Sequence, residues 1–408
     1  MKRVVVTGMA LASPLGCKVD TAFSRLKKLE NCIEYWKELD EFENMNTRLA
    51  APVKDFIVPE HFNRKVLRTM GKVAVYSTAV TEEALKDAGL LDEDCISNGE
   101  TGVSYGSSSG SLESIIDFYT MQVEKKIRCL NSGSYIKMMP QTTTVNISLY
   151  FKTKGRLIPS STACTSGSMG IGYGYEAIKN GYQKIMITGG AEELHPSHIA
   201  IFDTLYATSL KNNTPKLTPS PFDKNRDGLV LGEGAGTLIL EEYEHAKKRN
   251  AKIYAEIIGF GTSTDGTHIT NPNPQTMGSA LSLALKDAKI SPNEIGYVNA
   301  HGTATMQGDT AESQATYEIF NRRVPISSLK SYTGHTLGAC GAIEAILSIK
   351  MLNENWYAPT LNLREIDPTC ANLDYISGQG KNLDTNIIMS NNFAFGGINT
   401  SLIFKKVD

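Results

Sequence analysis

Tryptophan occurs only twice in 408 residues, and cysteine only seven times, at positions 17, 32, 95, 129, 164, 340 and 370. The cysteines are odd in number, widely scattered and never in C-x-x-C spacing. That argues against a disulfide framework or a zinc site and fits reduced thiols in a cytoplasmic protein. An excess of either charge is also missing: 41 basic residues face 43 acidic ones. The chain therefore carries no overall electrostatic footprint for nucleic acid, and an acidic partner must be met by a local patch. No uninterrupted apolar run approaches the roughly 18 residues that a bilayer span needs. The opening M-K-R-V-V-V-T-G-M-A-L-A-S mimics a signal peptide, but Thr7 and Gly8 interrupt it, and Val4 to Val6 read as a buried strand closed by a glycine turn. What remains is a soluble chain, 41% hydrophobic, long enough for two domains or one large duplicated body.

Duplication is visible as an internal echo. Ala84 to Ala88 and Ala284 to Ala288 both read A-L-K-D-A, each ending a helical pattern, passing a polar loop and entering a short strand. A second echo follows. Cys164 precedes a small-residue helix, Ser166 to Asn180, that leads to a strand Lys184 to Thr188 and a Gly-Gly turn. His335 precedes a helix Leu337 to Leu352, and the later strand Ile387 to Ser390 also runs into Gly-Gly. Strands alternating with helices predict a mostly parallel α/β sheet, built twice. The halves are placed at 1–252 and 253–408, joined where a basic helix end runs into a strand Ile253 to Ile258, with no Pro, Gly or Ser-rich linker. Residues 111–144 lack periodicity, as a surface loop, a site cover or a subunit contact would.

Cys164 lies in S-S-T-A-C-T-S-G-S-M. A free cysteine is usually a small buried hydrophobe. Here, however, the small residues permit a sharp strand-to-helix turn, and the helix start would favour thiolate. Of the histidines, His61, His195, His198, His245 and His268 sit in polar contexts and read as surface residues. His301, in N-A-H-G-T-A-T, and His335, in T-G-H-T-L-G, occupy strand-end and helix-start positions where α/β folds build sites. The stretch S-N-N-F-A-F-G-G-I-N, residues 390–399, is either a hairpin with buried aromatics or a mobile loop covering a pocket.

Taken together, T-A-C-T-S-G, R-D-G-L-V-L-G-E-G-A-G, N-A-H-G-T-A-T, K-S-Y-T-G-H and N-F-A-F-G-G-I-N make the chain resemble the β-ketoacyl-acyl carrier protein synthases of classes I and II, from Lys2 to Lys406. The resemblance implies a thiolase fold, layered α/β/α/β/α. It implies Cys164 as the acyl-accepting nucleophile, His301 and His335 as the triad histidines, and Lys330 with Glu344 as a charged pair beside them. Cys164 and Phe395 would supply oxyanion N–H groups, with Phe395 also the gate. Thr303 and Thr305 would bind the pantetheine arm, Ser109 would stand in the acyl-pocket wall, and Arg64, Lys65 and Arg68 would dock the acidic carrier protein. The implied reaction extends an acyl chain by two carbons through decarboxylation of malonyl thioester. It needs no metal or resident cofactor, because the phosphopantetheine arrives on the carrier.

The resemblance further implies a cytoplasmic dimer, either a homodimer or a heterodimer with a chain-length factor. Departures from the family pattern include Asn392, Ala394 and Ile398 in the last loop, Ser109, Met306 with Gln307, and Cys340. They leave open general fatty acid elongation or a specialised pathway of the aryl polyene or polyketide type. An intact Cys164 speaks against an inactive chain-length partner. The absence of a cysteine from 390–399 speaks against a degradative thiolase, and His335, where a class III enzyme carries Asn, speaks against that class.

Overall fold

A computed structural model describes residues 1–407. Eleven strands form one mixed sheet: β1 Val4–Ala12, β2 Thr101–Gly106, β3 Leu157–Ser160, β4 Ile185–Glu192, β5 Gly234–Glu242, β6 Ala255–Thr264, β7 Tyr297–Asn299, β8 Pro325–Ser327, β9 Asp374–Tyr375, β10 Ile387–Ala394 and β11 Ile398–Lys405. Their order is β9-β8-β7-β10-β11-β6-β1-β5-β4-β2-β3. The order is mirrored about the β6/β1 seam, so β6, β11, β10, β7 and β8 repeat β1, β5, β4, β2 and β3. The sheet is not mostly parallel as expected. The pairs around the seam are antiparallel, and only the outer pairs, β4/β2/β3 and β10/β7/β8/β9, are parallel. Strands buried on both faces read as apolar runs whichever way their neighbours point, so composition does not reveal direction.

Among the helices that complete the layers are α1 Lys72–Asp87, α2 Ser166–Lys179, α3 Pro196–Thr204, α4 Pro274–Ala288, α5 Met306–Phe320 and α6 Cys340–Glu354. α1 covers the outer face of the first half and α4 with α5 that of the second, while α2 and α6 lie between the halves. α6 is buried nearly all round, as a helix sandwiched between two sheet faces must be. This is the duplicated, layered thiolase fold. The 111–144 region is not a plain loop, since it holds helices Ile115–Glu124 and Ser132–Met138 and the start of Thr142–Phe151.

The A-L-K-D-A echo has a physical cause. β1 does not end at Gly8. It bulges at Thr7 and runs on to Ala12, so the side chains facing α2 and α6 slip from Val4 and Val6 to Met9 and Leu11. Asp87 Oδ2 accepts the freed Met9 N–H at 2.9 Å, and α1 lies so close that a Cβ on Gly8 would meet the Ala84 carbonyl at 2.3 Å. In the second half the bulge recurs opposite Ile403 and Phe404. There Asp287 Oδ2 accepts Phe260 N–H at 3.2 Å, and a Cβ on Gly259 would meet the Ala284 carbonyl at 2.5 Å. Each repeat is thus an aspartate clasp plus a small-residue helix face on a glycine.

The Gly-Gly pairs divide. Gly189 and Gly190 continue β4 to Glu192 rather than turning, whereas Gly396 and Gly397 form the turn of the β10/β11 hairpin. The seam strand begins at Ala255, not at Ile253.

Candidate active site

β3 ends at Ser160, and the chain reaches α2 through a tight turn, Ala163–Thr165, with Ala163 at φ 48° and Cys164 buried at its centre. A left-handed alanine is strained, and such elbows hold a side chain at one spot. The second half repeats the device: Leu337 at φ 46° opens the turn Leu337–Ala339 ahead of α6, with Gly338 in the place Cys164 holds. Buried Glu192 ties the two halves here, accepting Ser108 N–H at 2.8 Å and Gly338 N–H at 3.1 Å.

Three side chains converge at the elbow. His335 Nε2 lies 3.0 Å from Cys164 Sγ, while Leu337 N–H donates to His335 Nδ1 at 3.3 Å. Nδ1 is therefore the lone-pair nitrogen, and the hydrogen sits on Nε2, aimed at sulfur. His301 is set the same way from the other side. Lys330 Nζ stands 3.1 Å from its Nδ1, and an ammonium can only donate, so Nε2 again carries the hydrogen. The two rings meet edge to face with centroids 5.1 Å apart. Lys330 is buried and paired with Glu344 Oε1 at 2.6 Å. Ligand atoms of Cys164, His301 and His335 lie within 4.8 Å of one another, a spacing a metal could bridge. Both imidazoles, however, offer N–H rather than a lone pair toward the sulfur, so the set suits an anion.

The electrostatics differ from the expected resting thiolate. Burial pushes the Cys164 thiol up to about 11, against the opposing pull of Lys330 and of the backbone N–H groups of Phe395 and Cys164. Burial, and then the Lys330 charge, hold His301 and His335 well below the usual histidine range. Burial alone would also lower Lys330, but the Glu344 carboxylate raises its ammonium above the ordinary value. At neutral pH the thiol and the two imidazoles are therefore uncharged, beside the Lys330–Glu344 contact, where burial also pushes the Glu344 carboxyl up against the pull of Lys330.

A cavity of about 440 Å³ opens onto this cluster, lined by Cys164, His301, His335, Thr303, Thr305 and Phe395 among others. The hydroxyls of Thr303 and Thr305 are 2.9 Å apart on its wall. Phe395, half-buried on the hairpin turn, stacks on Phe202 of α3 at 5.0 Å. The last loop is thus both a hairpin and a pocket wall.

Ser109 is not on that cavity wall. Its Oγ is 2.8 Å from Nε2 of His198, a residue expected at the surface that is in fact buried on α3. His198 Nδ1 donates to the Glu193 carbonyl at 3.3 Å, so its Nε2 accepts the serine hydroxyl. Arg64, Lys65 and Arg68 are exposed on and beside a one-turn helix, Arg64–Leu67, away from the cavity lining and free of ion pairs among the described residues. Sequence reasoning missed Glu312, which accepts His301 N–H at 2.8 Å and Gly302 N–H at 2.7 Å and whose carboxyl burial pushes up to about 8. Nothing in its helical context distinguishes it from a surface glutamate.

Two family models match the chain: Beta-ketoacyl synthase, N-terminal domain, over residues 1–246, and Beta-ketoacyl synthase, C-terminal domain, over 254–364. A 3-oxoacyl-acyl-carrier-protein synthase 2 of Vibrio harveyi is 39% identical over 414 residues, covering 100% of this chain and 99% of that one. Among solved structures, a beta-ketoacyl synthase of Burkholderia phymatum superposes with a TM-score of 0.98 at 56% identity, with both chains fully covered. The ishigamide ketosynthase/chain length factor gives 0.90 at 29% identity, again over the whole of both chains.

Proposed function

The chain belongs to the beta-ketoacyl synthase family and is a condensing acyltransferase, and from that premise we propose how its own residues carry the reaction. The observation that carries the reading is the convergence on Cys164 Sγ of two kinds of donor: imidazole Nε2–H from the second half, and backbone N–H of Cys164 and Phe395.

In the first step Cys164 sulfur attacks an acyl thioester. The tetrahedral oxyanion forms against the N–H groups of Cys164 and Phe395, and the pantetheine thiol departs. Because the resting sulfur is protonated, its proton ends on the departing sulfur and the exchange is proton-neutral. In the second step malonyl thioester breaks its C–C bond to the carboxylate, CO₂ leaves, and the electron pair becomes an enolate. The enolate oxygen lies between the Nε2–H groups of His301 and His335, which stabilise it without becoming charged. The enolate carbon attacks the acyl carbonyl, the second oxyanion uses the same two N–H groups, and Cys164 leaves as thiolate beside His335. Water returns one proton to it. Thr303 and Thr305 supply hydroxyls for the amides of the pantetheine arm.

The substrates arrive on an acyl carrier protein, and the exposed charges of Arg64, Lys65 and Arg68 suit its acidic surface. The reaction as written uses no resident cofactor. A homodimer is supported by the unpaired outer edge of β3, where Leu157 is exposed, and by the exposed Ile116, Tyr119 and Val123 on the helix Ile115–Glu124. A cytoplasmic site is supported by the unpaired cysteines; no helix of the described residues is long and apolar enough to cross a membrane. The ketosynthase/chain length factor neighbour shares less identity than the 3-oxoacyl synthase relatives, which favours general fatty acid elongation.

The test is mass spectrometry of the protein after incubation with acyl carrier proteins bearing graded saturated chains, then malonyl carrier protein. Cys164 gains the acyl mass and a β-ketoacyl product two carbons longer appears. Loading only by aryl or polyene chains, or elongation only with an added subunit, overturns the general reading.

A further inference from the structure

Two departures from the family pattern, Asn392 on β10 and Cys340 at the start of α6, touch each other directly behind the triad. The Asn392 amide nitrogen lies 2.8 Å from Glu344 Oε2, 3.4 Å from His301 Nδ1 and 3.7 Å from Cys340 Sγ. Cys340 in turn donates its S–H to the backbone carbonyl of Cys164 at 3.2 Å. All of these groups are buried. We propose, resting on the condensing reaction described above, that Asn392 is a positioning residue for His301 and therefore for the decarboxylation half of the cycle.

The argument is one of donors. Glu344 is held at both oxygens by different side chains, Oε1 by Lys330 and Oε2 by Asn392. The same two side chains are the ones that face His301 Nδ1. Both polar groups that face His301 Nδ1 are therefore donors, and the ring presents its hydrogen on Nε2, where the enolate forms. Take Asn392 away and the buried Oε2 loses its 2.8 Å donor, leaving Lys330 and Asn299 as the side chains on this carboxylate. The carboxylate then competes harder for the Lys330 ammonium, drawing it from Nδ1 and loosening the tautomer. Cys340 fixes where the amide can sit: it fills the gap between Asn392 and the Cys164 peptide, so the amide is braced against the nucleophile's own backbone. A serine at 392 keeps one short donor and cannot span both Glu344 and the sulfur. His335 takes its orientation from Leu337 N–H instead, so acyl transfer to Cys164 does not depend on Asn392.

The experiment compares the full-length protein with Asn392→Leu and Asn392→Ser in two half-reactions: acylation of Cys164 by acyl carrier protein, and CO₂ release from malonyl carrier protein. In Asn392→Leu, decarboxylation falls by about 10-fold to 100-fold, the loss expected of one hydrogen bond to a charged group, while acylation stays within about 2-fold. Asn392→Ser falls between it and the wild type. A packing role would lower both half-reactions together, and that result, or no change in either, overturns the proposal. Should the leucine variant not fold, the serine variant must still show the same split. Independently, ¹⁵N shifts of His301 in the wild-type protein must report protonated Nε2 and bare Nδ1, with mixing in the variants. Protonated Nδ1 in the wild type overturns the proposal. A wild-type protein inert in both half-reactions would instead overturn the functional reading, and leave the tautomer measurement standing as the test of Asn392.

Discussion

Replacing Lys330 by Met separates the two things its ammonium does. It sits 2.6 Å from Glu344 Oε1 and 3.1 Å from His301 Nδ1, and it is almost wholly buried. Met preserves the length of the side chain and removes the charge. Glu344 is then a buried carboxylate without its cation, and breaking such a pair from one side costs about 3–5 kcal/mol of stability. His301 loses the donor that fixes Nδ1 as an acceptor. The enolate then meets a ring that no longer presents its hydrogen reliably, and losing one preorganised donor to a developing oxyanion lowers the rate roughly 100-fold to 1,000-fold. The double variant Lys330→Met with Glu344→Gln distinguishes these effects. With both charges gone the stability cost is largely returned, but the donor behind His301 is still absent. The assays are denaturant unfolding and CO₂ release from malonyl carrier protein. Expected is a double variant near wild type in stability and near Lys330→Met in decarboxylation. Decarboxylation restored in the double variant would refute the reasoning, because the slow step would then report a lone charge and not a lost donor. The pH profile adds a sign: burial first and Lys330 second depress His301, so without the ammonium its acid limb moves toward higher pH.

Three further outcomes follow from the geometry. Alkylation of Cys164 by iodoacetamide keeps rising by about tenfold per pH unit between pH 7 and 9, because only thiolate reacts and burial holds the thiol near 11; a plateau near neutrality would mean a resting thiolate. Charge reversal at Lys65 and Arg68 raises KM for carrier-borne acyl chains several-fold at low salt and leaves N-acetylcysteamine thioesters untouched, while equal effects on both substrates would move the docking surface elsewhere. Gly8→Ala and Gly259→Ala each destabilise by about 1–3 kcal/mol in urea unfolding, since the new methyl meets a helix carbonyl at 2.3 Å or 2.5 Å; two neutral substitutions would show that the helices ride less closely than drawn.

Cys164 and His301 are readable as site residues because each follows a strand end ahead of a helix, and His335 because it stands just before the turn that opens α6. The duplication is readable because each clasp uses the same aspartate and the same two alanines of A-L-K-D-A. Other features depend on partners far away in the chain. The antiparallel core of the sheet is set by which strands meet, and β1 looked finished at Gly8 because a bulge and a turn both call for glycine there. His198 lies in a polar stretch, yet α3 turns it inward onto Ser109, 89 residues away in sequence. The protonation of Cys164 depends on a feature of a different kind. The helix start does favour thiolate, but the full burial of the sulfur outweighs it, and burial is not visible in a string of small residues.

The paired elbows have a consequence for how such a chain can be divided. The first half owns the sulfur, and the second owns both imidazoles and the Lys330–Glu344 pair. In the second half the turn survives with Gly338 in the nucleophile's place, its N–H handed across to Glu192 of the first. Neither half expressed alone would contain a working set. Circular permutation at the β5/β6 connection keeps every member in one polypeptide, whereas splitting the chain there yields fragments that recover activity only by finding each other, through the β1/β6 seam, the α2 and α6 layer and the Glu192 contact.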